Sequence, residues 1–229
     1  MEGIFLIRCI LKKYNILLRS RPVYKFFNKN IKRKLMSKIK SQIEVDNIQS
    51  LIGELKKLLE NKLKIIIGID GYDGAGKTSI GNDISNNLNI NLIDFDDYIK
   101  RKGDSFAKFI NYKKLKESIK SQDCIIISGV CLLKVLKRCK IEPDIIIYVK
   151  RFNQSCTVWQ DKDECVTRNG NRTILKNIIE DLEKFHALLG ERKKIRKRDF
   201  KFRIELISYH KKYLPFKVAD IIYKRKENI

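Results

Sequence analysis

The sequence predicts an α/β domain of three layers, a five-stranded parallel sheet covered by helices on both faces, behind a basic N-terminal extension. Three observations predict it. Apolar runs of strand length, mostly rich in isoleucine, recur at 64–70, 90–94, 124–128, 144–149 and 219–223. Between them lie segments whose apolar residues return at helical spacing. Continuous apolar strands alternating with helices are the pattern of a parallel sheet buried on both faces. Finally, residues 1–40 hold twelve Lys and Arg and a single acid, Glu2, a composition unlike the rest of the chain.

That change of composition sets a boundary near Ser41, with the extension at 1–43 and the domain at 44–229. The opening run Met1–Leu11 is apolar but is broken by Arg8 and is too short to span a bilayer. It lacks the basic start of a secretory signal, because Glu2 is the only early charge. Two readings of residues 1–40 stay open. One is a basic extension of the domain, and the other is an organelle-targeting or membrane-surface segment. The cysteines, Cys9, Cys124, Cys131, Cys139, Cys156 and Cys165, form no C-x-x-C pair, and His186 and His210 complete no metal-finger spacing. Reduced thiols in a cytoplasmic protein are therefore expected. A hydrophobic content of 43% excludes wholesale disorder, and three Pro with 11 Gly exclude collagen-like and low-complexity classes. The net charge of +23 attracts polyanions, anionic surfaces and phosphorylated substrates, but it carries no information about fold.

In chain order, the first helix is marked by apolar residues at 48, 51, 52, 55, 58 and 59, with Asp46 and Gln49 spaced as a capping box. The strand Ile65-Ile66-Ile67-Gly68-Ile69-Asp70 follows. A helix at 77–88 puts Ile80, Ile84 and Leu88 on one face. Further helical patterns fill 107–121, 131–139, 173–189 and 203–213. In the third of these segments, 173–189, Leu175, Ile178, Ile179, Leu182, Phe185 and Leu189 share a face, closed by Gly190. His210 and Trp159 are expected to be packed residues rather than catalysts.

Between the first long strand and its helix, Gly71-Tyr72-Asp73-Gly74-Ala75-Gly76-Lys77-Thr78 fits G-x-x-x-x-G-K-[ST] at every fixed position. The strand–loop–helix context is the one that a phosphate-binding loop requires. Glycines let the backbone turn its N–H groups onto phosphate oxygens, and the helix N-terminus adds a favourable dipole. Lys77 then neutralises the β- and γ-phosphates of ATP, and the Thr78 hydroxyl serves Mg²⁺. The expected nucleotide contacts are residues 71–79, Gly71 through Thr78 with Ser79. A GTPase would need D-x-x-G and N-K-x-D beyond the loop, and neither is present.

The strand at 90–94 ends in carboxylates, Asp94, Asp96 and Asp97. In a parallel sheet the C-terminal strand ends line the ligand crevice, where a carboxylate takes a substrate proton or holds Mg²⁺. Their bland roles are turn former and helix cap. Here the chain resembles the uridine kinase-like branch of the P-loop small-molecule kinases. The resemblance rests on Gly68-Ile69-Asp70-Gly71 entering the loop, on Asp96-Asp97-Tyr98 as a D-x-[FY] segment, and on Ile125-Ile126-Ile127-Ser128-Gly129-Val130-Cys131-Leu132-Leu133. Tyr209–Pro215 followed by Ala219-Asp220-Ile221-Ile222 is a weaker match. The resemblance implies a three-layer P-loop kinase fold, ATP with Mg²⁺, a small hydroxyl-bearing acceptor such as a nucleoside, and Asp96 as base. Ser128 stands where the family usually has Glu, which shifts metal binding onto Thr78 with Asp96 or Asp97.

Residues 192–203 pack eight cations into twelve positions. Arg198-Asp199 resembles the Arg-Asp pair of a kinase lid, with Arg196 as a second candidate and a solvated basic face as the plain alternative. Lys77, Asp96 and Arg198 thus form the expected catalytic set. Two other classes compete with this reading. A nucleoside monophosphate kinase resembles the thymidylate kinase loop but lacks its Asp-Arg, since Ser128-Gly129 stand there. A nucleotide-gated nucleic-acid- or membrane-binding protein accounts for the charge, but no aromatic platform for bases interleaves with the basic segments. A nucleic-acid partner is therefore not expected, while a membrane surface stays open for residues 1–40.

Overall fold

In the computed structural model, which describes residues 42–60, 62–100, 105–166 and 197–226, the sheet has six parallel strands rather than the expected five. They are β1 (Ile43–Val45), β2 (Ile65–Gly71), β3 (Asn91–Asp94), β4 (Cys124–Ser128), β5 (Ile145–Phe152) and β6 (Ile221–Lys226), in the order β1-β6-β5-β2-β4-β3. The helices are α1 (Ile48–Leu59), α2 (Lys77–Leu88), α3 (Tyr112–Lys120), α4 (Leu132–Cys139), α5 (Lys162–Val166), α6 (Lys197–Tyr213) and α7 (Pro215–Val218), with a 3₁₀ turn at Phe95–Tyr98. The described residues belong to one compact unit. Residues 1–41, most of the expected extension, and the expected helix at 173–189 lie outside the described residues.

The sixth strand, β1, escapes a periodicity reading because it is three residues long and half-exposed at the sheet edge. It pairs with β6 from Ile43↔Ile221 to Val45↔Tyr223, so the domain begins before residue 44. The capping box is also corrected. Asn47, not Asp46, caps α1, its Oδ1 accepting from the Ser50 N–H at 2.8 Å. Asp46 instead pairs with Lys226 of β6 at 3.5 Å. The expected helix at 107–121 starts only at Tyr112, where Asn111 caps it. Phe106, Ala107 and Ile110 are buried in the preceding turn, so apolar spacing runs on through residues that are not helical.

Two apolar layers follow from the strand alternation. On one face, Leu51 and Leu55 of α1 and Ile80 and Ile84 of α2 pack on Ile65, Ile67 and Ile69. On the other, Leu115, Leu132, Leu136 and Tyr209 close over Ile125, Ile127 and Tyr148. Full burial of such side chains stabilises by roughly 1.5–3 kcal/mol each before chain entropy is counted. Among the described residues, no helix is long and apolar enough to cross a membrane.

Candidate active site

β2 delivers the chain to the phosphate loop at the centre of the sheet, and α2 leaves from it. Gly76, the residue before α2, has φ 88°, and Gly74 has φ 72°, left-handed conformations that favour glycine. Lys77 is buried, and its Nζ donates to the Tyr72 carbonyl at 2.8 Å. Burial pulls its pKa down, while the charges of Asp70, Asp73, Asp94 and Asp96 support the ammonium. The Tyr72 ring turns into the core, 5.6 Å from the His210 ring, and Ala75 is fully buried, so only their backbones face a ligand.

The carboxylates separate by position. Asp94, the last residue of β3, accepts from Thr78 Oγ1 at 2.7 Å and from the Asp96 N–H at 3.0 Å. Phe95 is fully buried, so Asp94 and Asp96 both reach the same cleft. That cleft, about 220 Å³, is lined by Asp73, Gly74, Gly76, Lys77, Thr78, Ser79, Asp94, Asp96, Gly129 and Val130. Burial and then the charge of Asp94 push the Asp96 carboxyl above the usual carboxylate range, and Lys77 pulls the other way. Asp97 does not line the cleft, whereas Asp94 does. Ser128 is fully buried at the end of β4, paired in register with Asp94, and its hydroxyl has no hydrogen-bond partner among the described residues.

Gly129 fixes this arrangement. A Cβ at Gly129 would lie 2.5 Å from Phe95 Cδ2 and 2.8 Å from its Cβ. Phe95 sits between the two cleft carboxylates, so Gly129→Ala should move both. We expect it to cost about 1–3 kcal/mol of stability and to lower activity. Thermal unfolding together with a kinase assay checks this, and unchanged values in both would contradict it.

Beneath the loop lies a buried network that sequence reading did not anticipate. Asp70 Oδ1 accepts from the Gly71 N–H at 2.8 Å, and Oδ2 accepts from the Tyr209 hydroxyl of α6. The Tyr209 oxygen in turn accepts from the Leu133 N–H of α4 at 3.1 Å. A charged residue closing an all-apolar strand was the one available signal. Next to it, His210 Nδ1 donates to the Leu206 carbonyl at 2.9 Å, which leaves Nε2 to accept from the Tyr148 hydroxyl at 2.9 Å. His210 is thus a satisfied core residue. Trp159 is packed against Phe216, with ring centroids 5.5 Å apart.

These two buried groups titrate in opposite senses. Burial pushes Asp70 up to about 7, against the pull of Tyr209, the Gly71 N–H and Lys77. The folded chain then holds a proton that the unfolded chain has released, so this share of stability falls as pH rises from 3.8 to about 7. Burial lowers His210 from 6.5 to about 4, and its share is lost as pH falls through that window. Asp70→Asn removes the first and keeps the second. Its melting temperature should climb more steeply with pH than that of the parent, and parallel curves would contradict the assignment.

Of the expected lid, residues 192–196 with Arg196 lie outside the described residues, and Arg198 falls in the first turn of α6. Farther along the same helix, Glu205 accepts from Lys134 Nζ and from the Phe106 N–H, both at 2.6 Å, which fixes α6 to α4.

Residues 73–198, more than half of the chain, match the family model for shikimate kinase. The chain belongs to the shikimate kinase family. Consistently, it is 30% identical over 128 residues to a shikimate kinase of Dictyoglomus turgidum, an alignment covering 49% of this chain and 72% of that one. A solved structure of a possible uridine kinase from Bacillus stearothermophilus overlays with a TM-score of 0.45 at 16% identity, covering 77% of this chain and 99% of that one. Shikimate kinase from Acinetobacter baumannii, in complex with shikimate, gives a TM-score of 0.39 at 14% identity, covering 75% and 88%. Family membership makes the chain a P-loop kinase of small molecules. The family that matches is the shikimate kinase one, and nothing singles out the uridine kinase-like branch that the motifs resemble.

Proposed function

We propose that this shikimate kinase family member transfers the γ-phosphoryl group of ATP to a hydroxyl of a small hydroxylated ring acid of the shikimate type. One observation carries the chemistry. Lys77 of the phosphate loop and the carboxylate of Asp96 line the same cleft, with Asp94 hydrogen-bonded to Thr78 between them. Phosphoryl transfer needs little covalent chemistry from a protein beyond positioning and charge stabilisation.

In this reading Lys77 exchanges the Tyr72 carbonyl for the β- and γ-phosphates. Loop N–H groups and the α2 N-terminus hold the same oxygens. Asp96 orients the acceptor hydroxyl and takes its proton. Arg198, with Arg196 second, supplies lid charge to the transferred group. Thr78 and Asp94 offer a hydroxyl and a carboxylate side by side, which fits Mg²⁺, a hard cation that binds few protein oxygens and keeps water and phosphate for the rest. When bound, it neutralises charge on the β- and γ-oxygens.

The family match and the name of the Dictyoglomus turgidum relative support the acid acceptor. A nucleoside acceptor such as uridine is the second reading, favoured by the Asp96-Asp97-Tyr98 segment. Acceptor-dependent ADP release, measured with shikimate and with uridine in parallel, separates them. The first reading predicts release with shikimate only, and release with uridine alone would replace it by the second.

A further inference from the structure

β5 and β6 run side by side past the phosphate loop, and their register pairs Arg151 with Arg225. Both guanidinium groups reach the loop. Arg151 Nη1 is 3.7 Å from the place that a Cβ on Gly74 would take. Arg225 lies on Gly76, its Nε 2.9 Å from the corresponding place and its Cζ and Nη1 closer still. Gly76 is the residue from which α2 starts, so Arg225 stands at the helix end that holds phosphate.

The neighbouring cations of these strands are accounted for. Arg151 Nη2 donates to the buried Asp161 at 2.7 Å. Lys224 and Lys226 pair with Glu44 and Asp46, on the opposite side of β6 from Arg225. Arg225 itself is half-buried and has no carboxylate partner among the described residues. A partly desolvated guanidinium beside an anion-binding loop, with no anion of its own, is built to receive one.

The strand order says which anion. Asp96 stands at the end of β3, two strands from β2 on one side of the loop. Arg225 stands at the end of β6, two strands from β2 on the other side. A nucleotide whose γ-phosphoryl faces Asp96 must run its nucleoside end out over β5 and β6. The last phosphate on that path is the α-phosphate. We infer that Arg225 is a nucleotide-binding side chain that pairs with the α-phosphate of the bound nucleotide. The direction of the nucleotide rests on the kinase reading above.

Calorimetric binding of MgADP and of adenosine to the 229-residue chain tests the inference without any acceptor. Arg225→Gln should weaken MgADP about 10- to 100-fold, the loss of a charge-assisted hydrogen bond, and leave adenosine unchanged. Arg225→Lys should recover part of the MgADP affinity, since it keeps the charge and loses the fork. In steady state the KM for ATP should rise while the KM for the acceptor holds. Parental MgADP affinity in a folded Arg225→Gln protein would overturn the inference. Equal losses for MgADP and adenosine would overturn it too, because the contact would then be to the nucleoside. If Arg225→Gln fails to fold, Arg225→Lys carries the test: parental MgADP affinity with adenosine weakened would reject the α-phosphate pairing, and weakened MgADP with unchanged adenosine would support it. Failure of the kinase reading looks different, since the parent chain itself would then bind no MgADP.

Discussion

Asp96→Asn should bind MgATP as the parent does and turn over about 10²- to 10⁴-fold more slowly. Asparagine keeps the shape of the side chain and can still accept a hydrogen bond, but it cannot take a proton from the acceptor. The aspartate suits that task because burial and the charge of Asp94 raise it above the ordinary carboxylate range, while Lys77 pulls the other way. The same environment sets the pH profile. As pH falls, Asp96 protonates and kcat/KM drops, with the inflection above the ordinary carboxylate value of 3.8. In Asp96→Asn that acidic limb should vanish. An unchanged kcat, or an unchanged acidic limb, would show that Asp96 is not the base.

Lys77→Ala should reduce turnover at least as severely, by about 10³-fold, because a preorganised cation in a site shielded from water is lost. Its effect on folding should be small, for two opposing reasons. Removing a buried ammonium relieves the desolvation that already depresses its pKa. Removing the donor leaves the Tyr72 carbonyl short of a partner. Turnover and melting temperature measured on the same preparation check the prediction. A large loss of stability would instead make Lys77 a structural residue of the loop.

The parts of this site that follow fixed spacing were legible in the sequence. The loop from Gly71 to Thr78 is read residue by residue, and the apolar runs before and after it dictate a parallel sheet with its loop at the strand ends. The sixth strand was not legible, because Ile43-Glu44-Val45 is too short for alternation to stand out from a helix start. The three strand-end carboxylates were visible as a cluster, but their division of labour was not. It depends on Phe95 turning into the core, which puts Asp94 and Asp96 on the cleft and Asp97 outside it. That alternation could have been read from the single apolar residue between the two acids. Asp70 with Tyr209 and Gly76 with Arg225 are different. Each joins residues more than a hundred positions apart, and only strand order and register bring them together. The largest basic cluster, residues 1–40, lies outside the described residues.

Phosphoryl transfer in the cleft shared by Lys77 and Asp96 is tested by following label from γ-labelled ATP to shikimate with the 229-residue chain. Labelled shikimate phosphate is the expected product, with the label lost in Lys77→Ala and slowed in Asp96→Asn. Labelled product formed at equal rates by all three proteins would contradict it, as would γ-phosphate released only to water.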